Sequence, residues 1–134
     1  MEGEKMPERY KFLLVDDEPD IKEIYEIFLS NLLGKDFQFQ FFLNGEECMN
    51  YMNNNCTPDD KVFVITDINM PIMDGFTLLK NLKESFRGVE VAICSAYDTN
   101  DYKTRGKDLG AIEFLPKPVD FERVASMIEE RITA

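Results

Sequence analysis

Val62-Phe63-Val64-Ile65-Thr66-Asp67-Ile68-Asn69-Met70-Pro71-Ile72-Met73-Asp74-Gly75 holds, in order, an apolar string, a lone acid, a loop and a helix start. A short, unbroken apolar and β-branched string reads as a strand covered on both faces. Asp74 is a candidate N-cap for a helix from Gly75 to Phe86 that turns Phe76, Leu79 and Leu82 inward. The stretch is a strand and a helix joined through an acidic junction.

Working outward, the same unit recurs. Apolar runs at Phe12 to Val15, Phe37 to Phe42, Val89 to Cys94 and Ala111 to Leu115 join Val62 to Thr66, and a helix-like stretch follows each. Five such units predict an α/β domain, a (βα)5 doubly wound parallel five-stranded sheet with helices on both faces. The second run alternates, Phe37-Gln38-Phe39-Gln40-Phe41, as an edge strand would. Pro19 opens the first helix, Ile21, Ile24, Ile27, Phe28 and Leu32 form its apolar stripe, and Gly34 ends it. The second helix is expected from Gly45 to Met52. The fifth runs from Phe121 to Ile132 behind an Asp120 cap, with Phe121, Val124 and Ile128 inward. The fourth, about Asn100 to Leu109, has few apolar anchors and Gly106 inside it, so it is expected to be the least stable and most mobile. Residues 1–10 read as a flexible polar leader and 11–134 as one domain, with nothing left after the fifth helix for an output domain.

The 134 residues carry 26 Asp plus Glu against 15 Lys plus Arg, a net charge of -11 that would repel a nucleic-acid backbone, so direct DNA binding is not expected. No apolar run approaches the ~20 residues of a membrane span, and the start has no signal-peptide core, which predicts no membrane insertion and a cytoplasmic location. Cys48, Cys56 and Cys94 lack a C-x-x-C pair and read as reduced, mostly buried thiols. Histidine is absent, which removes imidazole acid-base chemistry and most transition-metal sites. Any chemistry must use carboxylates, hydroxyls and lysine.

Asp16 and Asp17 directly follow the first strand, and Asp67 directly follows the third. In the flavodoxin-like strand order 2-1-3-4-5 those strands are neighbours, about 4.8 Å apart, at the switch point where open α/β sheets bind ligands. Three crowded anions repel unless a cation joins them, and carboxylate oxygens suit Mg2+ or Mn2+. Taken alone, Asp16 and Asp17 can equally serve as caps for the first helix. Ser95 ends the fourth strand and Lys117 follows the fifth, which puts a hydroxyl and an ammonium on the same rim. Both can bind phosphoryl oxygens, although singly each has an ordinary reading as a turn hydroxyl and a solvated surface charge. Pro118 permits a cis peptide that would turn Lys117 inward.

Asp16-Asp17, Asp67 with Met70-Pro71 and Asp74-Gly75, Ser95-Ala96 and Lys117-Pro118, in this order at successive strand ends, resemble the receiver domain of bacterial-type response regulators, from Lys11 to about Ile132. The resemblance implies that Asp67 accepts a phosphoryl group from the phosphohistidine of a histidine kinase or histidine phosphotransfer protein. It implies Mg2+ held by Asp17, Asp67 and the Asn69 backbone carbonyl, with Asp16 acting mostly through water. Lys117 and Ser95 would bind phosphoryl oxygens, and Ser95 and Phe114 would form the switch. Asn69 and Tyr97 would flank the route of water to the acyl phosphate, tuning a slow to moderate self-dephosphorylation. A downstream protein would dock on the fourth helix, fifth strand and fifth helix, touching Tyr102, Lys103, Glu113, Arg123 and Met127.

Three other readings are weighed against this one. A haloacid-dehalogenase-like phosphatase needs a second Asp two residues after its nucleophile, where this chain has Asn69. A degenerate receiver that only docks would ordinarily have lost an acid or the lysine, and all are present. A flavin carrier is excluded by the acidic loop after the first strand, which would repel FMN.

Overall fold

The computed structural model describes residues 10–97 and 99–133, in which strands and helices alternate. They are β1 (Tyr10–Val15), α1 (Asp20–Leu33), β2 (Gln40–Phe42), α2 (Gly45–Asn55), β3 (Lys61–Asp67), α3 (Gly75–Ser85), β4 (Val89–Ser95), α4 (Asn100–Asp108), β5 (Glu113–Pro116) and α5 (Phe121–Thr133). All strand pairings are parallel, in the order β2-β1-β3-β4-β5, the expected topology. Alternate residues of each central strand enter opposite layers. Leu13, Val15, Val64, Val91 and Ile93 pack with Met52, Phe76, Leu79 and Leu82 beneath α2 and α3. Phe12, Leu14, Phe63, Ile65 and Ala92 pack with Tyr25, Leu29, Val124 and Ile128 beneath α1 and α5. This two-sided burial is why the strands read as continuous apolar strings.

The expected boundaries shift at the sheet's edges. β2 is only Gln40–Phe42 and β5 is Glu113–Pro116, because an edge strand has one neighbour to define its ladder. The second helix continues three residues beyond Met52. Tyr10 belongs to β1, and residues 1–9 of the expected leader lie outside the described residues. Asp74 caps α3 by accepting the Thr77 N–H at 2.8 Å, and Asp120 accepts from Glu122 and Arg123 at the start of α5. Gly34, at φ 104°, ends α1.

Two readings are corrected. The buried stripe of α1 is Tyr25 and Leu29, flanked by half-buried Ile21 and Leu33, whereas Ile24, Ile27, Phe28 and Leu32 stay 39, 53, 46 and 41% exposed. Apolar residues cover so much of this helix that periodicity alone admits two stripes, and packing on α5 and the sheet selects between them. Met127 is 2% exposed and is no surface contact, because its position on α5 faces the sheet. Gly106 also acquires a reason: it is buried, and a Cβ there would come 3.0 Å from Ile93 Cδ1, so glycine lets α4 lie close on β4.

Candidate functional site

β1, β3 and β5 deliver Asp16, Asp67 and Lys117 to one point at the sheet's carboxyl edge. The Asp16 N–H continues the β1 ladder by donating to the Phe42 carbonyl at 3.0 Å, which fixes the residue where its side chain is almost fully buried. Its Oδ1 accepts the Glu18 N–H at 2.9 Å, and its Oδ2 accepts the Lys117 ammonium at 3.0 Å. Asp16 thus closes a turn at Glu18 with one oxygen and meets Lys117 with the other; it does not cap α1, whose N-cap is Pro19. Asp17 is exposed.

Asp67 is held from three sides. Its Oδ1 accepts the Ile68 N–H at 2.7 Å, its Oδ2 accepts Lys117 at 3.2 Å, and its backbone carbonyl accepts the Thr66 hydroxyl at 2.9 Å. Behind it, the Gly75 N–H donates to the Ile68 carbonyl at 2.8 Å. A Cβ on Gly75 would stand 2.1 Å from the Asp67 carbonyl oxygen, so only glycine lets α3 begin there. The Lys117 N–H donates to the Ser95 carbonyl at 2.9 Å, and the Lys117-Pro118 bond is cis as anticipated. Ser95 is buried, and its Oγ accepts the Tyr97 N–H at 3.0 Å.

Burial raises the Asp67 pKa above its ordinary value; the Lys117 ammonium opposes the rise and the Asp16 charge adds to it. For Lys117, burial pulls the pKa down, but the Asp16 hydrogen bond and charge, joined by those of Asp67, outweigh it and leave the ammonium strongly favoured. One oxygen from each of Asp16, Asp17 and Asp67 can be chosen so that all lie within 4.8 Å of one another. An all-oxygen set at this spacing, with three carboxylates against one ammonium, fits a hard divalent cation.

Asn69 is exposed in the β3–α3 loop, Tyr97 is 60% exposed with its ring toward Tyr102 of α4, and Phe114 is half-buried with the Lys103 ammonium 6.0 Å from its ring centre. Thr66 and Ile72 were not singled out from the sequence, and Gly75 was read as a helix start without its close approach to Asp67. Ile72 stands at φ 69°, inside a γ-turn closed by the Met73 N–H on the Pro71 carbonyl at 2.7 Å, and is 73% exposed. A β-branched residue pays about 1–3 kcal/mol for that conformation, and no sequence signal announces it.

Fold and site together define a doubly wound, flavodoxin-like domain with an acidic, lysine-bridged cluster over its switch point. The family model of the response regulator receiver domain matches residues 12–129, and the chain belongs to that family, the receivers of two-component systems. Response regulator Rre1 of Synechocystis sp. is 30% identical over 125 residues, which cover 92% of this chain and 52% of that protein. The DNA-binding transcriptional regulator NtrC of Escherichia coli is 32% identical over 120 residues, 90% of this chain and 24% of that protein. The chain thus spans about half of one relative and a quarter of the other. The crystal structure of the N-terminal domain of a Wolinella succinogenes protein has a TM-score of 0.75 at 28% identity, covering 91% of this chain and 93% of that one. A CheY-like receiver from Methanospirillum hungatei reaches 0.77 at 19% identity, over 92% and 94%, a likeness of fold alone.

Proposed function

We propose that this chain is a working phosphoacceptor, taking a phosphoryl group from a partner's phosphohistidine onto Asp67. The observation that carries the proposal is the Lys117 ammonium, shared between Asp16 and Asp67 at 3.0 and 3.2 Å. Asp67 attacks through a carboxylate oxygen. Its other oxygen is steadied by the Ile68 N–H, so the nucleophile is oriented before the donor arrives. Lys117 lies within reach of the incoming equatorial oxygens, and Ser95 can exchange the Tyr97 N–H for a phosphoryl oxygen. Asp17, Asp67 and the Asn69 carbonyl would hold Mg2+, or Mn2+, with Asp16 acting through water. When bound, that ion supplies charge neutralisation for phosphoryl transfer and removes the mutual repulsion of the carboxylates. The chain lacks histidine, so the donor imidazole belongs to the partner.

The surface around the rim supports such a partner. α1 starts three residues after Asp17 and carries Ile24, Ile27 and Phe28 to solvent, and Ile72 stands out from the loop that follows Asp67. Exposed apolar side chains at a reaction rim fit a partner protein better than a small donor. After transfer, a turn of Ser95 toward the phosphoryl group would leave space for the Phe114 ring. The output face is α4, β5 and the exposed side of α5, with Met127 removed from it. Intact mass spectrometry tests the chemistry: acetyl phosphate with Mg2+ should add one phosphoryl group, and EDTA should abolish the addition. A gain that persists in EDTA would refute the role of the cation.

A further inference from the structure

Phe37-Gln38-Phe39-Gln40-Phe41 reads the same in both directions and lies along the β2 edge of the sheet. Phe37, Phe39 and Phe41 enter the layer of α1 and α5, the first two with ring centroids 6.0 and 5.8 Å from Phe12, while Gln38 and Gln40 are exposed. The Asp16 N–H donates to the Phe42 carbonyl and Gln40 is paired with Leu13, so Gln40 and Phe42 direct their main-chain groups to β1. By the alternation of a strand, the N–H and carbonyl of Phe41 point outward, and those of Phe39 follow, its ring lying in the same layer. Open edges are ordinarily blunted by charge, proline or a bulge, yet from Phe37 to Leu43 there is no charge and no proline. Beside the edge on the α1 side is a groove of about 300 Å³, lined by Glu26 and Ser30 of α1, by Lys35 and by residues 37–40.

We propose that two copies of this chain join through this edge into one continuous sheet, antiparallel about a two-fold axis at Gln40. A two-fold axis sets identical edges against each other, so the segment must complement itself. About Gln40 it does: Phe39 faces Phe41 of the second copy with both rings on the α1 side, and the two Gln40 side chains meet on the other side. The outward groups of Phe39 and Phe41 form the hydrogen-bonded pairs, and Gln40 takes the close, non-hydrogen-bonded position, with Cα atoms about 4.5 Å apart. An axis at Phe39 would match the palindrome too, but it calls on the Phe37 N–H, which is donated to the Gly34 carbonyl at 3.2 Å. Charge agrees with the Gln40 register. Counting outward from Gln40 brings Lys35 of one copy to the start of α2 of the other, beside Glu46. Both are exposed, and neither forms an ion pair among the described residues. The opposite edge, β5, carries Glu113 and Pro116, so pairing stops at two copies. The pairing is independent of the acceptor reading of Asp67.

The test is sedimentation velocity of the whole chain over a range of concentrations, in about 0.15 M salt, where the charge of -11 on each copy is largely screened. The unsubstituted chain should pass from monomer to dimer and no further. Gln40→Lys and Gln40→Glu each set like charges directly across the axis and should weaken the dimer about tenfold or more, whereas an equal mixture of the two should dimerise again. Gln40→Cys, made together with Cys56→Ser, should cross-link into a dimer under mild oxidation, and Gln38→Cys in the same background, which faces Phe42, should not. A chain that stays monomeric to about 1 mM overturns the proposal and leaves the edge to a strand of another protein. A dimer indifferent to Gln40→Lys, a mixture that fails to re-form it, or equal cross-linking at positions 38 and 40 overturns it as well.

Discussion

The faces carried by α1 and α4 are built in opposite ways. α1 anchors itself with Tyr25 and Leu29 and still has Ile24, Ile27, Phe28 and Leu32 left for solvent; Phe28 stacks flat on Phe121, centroids 4.5 Å apart and planes 3° from parallel. α4 is almost wholly polar, buries Gly106, and is held by a Thr99 cap and by Tyr102 among other rings. A helix with surplus apolar surface is firmly seated and gains by being covered, whereas one with so little burial can be shifted by the loss or gain of a single hydrogen bond. On the proposed function, the first would serve recognition and the second response.

The largest effect should come from the α3 side. Gly75→Ala places a methyl where the Asp67 carbonyl oxygen stands 2.1 Å away, and backbone cannot yield as a flexible side chain does. Chemical denaturation should show a loss of about 3 kcal/mol or more, with the acceptor displaced and labelling by acetyl phosphate impaired. A stable, fully active variant would mean that α3 does not fix Asp67.

On the α1 side, Ile24→Glu with Ile27→Glu changes exposed residues, so stability should move little. Transfer from a phosphohistidine donor should fall about tenfold or more, as expected when interface anchors are lost, while acetyl phosphate labelling stays intact. Equal loss with both donors would place the effect in the site instead of the docking face. The contrast between the two helices would then lose its recognition half.

A smaller effect concerns Asp67 itself. Its pKa is raised in the folded chain, first by burial, so the protonated form favours folding, and this contribution is lost as pH rises from the ordinary carboxylate value through the folded one. Above that window, without divalent cation, Asp67→Asn should raise the Tm by a few degrees. Mg2+ should stabilise the unsubstituted chain more than the variant. An Asp67→Asn melt that is lower at neutral pH would show that the Lys117 contact outweighs burial and the repulsion from Asp16.

The fold was legible because short apolar strings such as Val62 to Thr66 and Val89 to Cys94 each precede a helix-like stretch, the pattern of strands buried on both faces of a parallel sheet. The candidate cluster was legible because acids and a lysine fall at strand ends, and topology brings Asp16, Asp67 and Lys117 together. The α1 stripe was not, because Ile21 belongs equally to a series through Ile24 and Phe28 and to one through Tyr25 and Leu29. Gly106 carried two meanings, weak propensity and close packing, and only the neighbouring Ile93 tells them apart. Ile72 had no signal at all, since β-branched residues are the last expected at positive φ.

The most direct test of the central claim is the chemical nature and position of the phosphoryl linkage after treatment with acetyl phosphate and Mg2+. A phosphoryl group on a carboxylate is cleaved by hydroxylamine, whereas one on a serine, threonine or tyrosine hydroxyl is not. The account predicts one phosphoryl group per chain, removed by hydroxylamine, mapped to the peptide containing Asp67, absent in Asp67→Asn and present in Ser95→Ala. A hydroxylamine-stable group, or one that remains in Asp67→Asn, would contradict it.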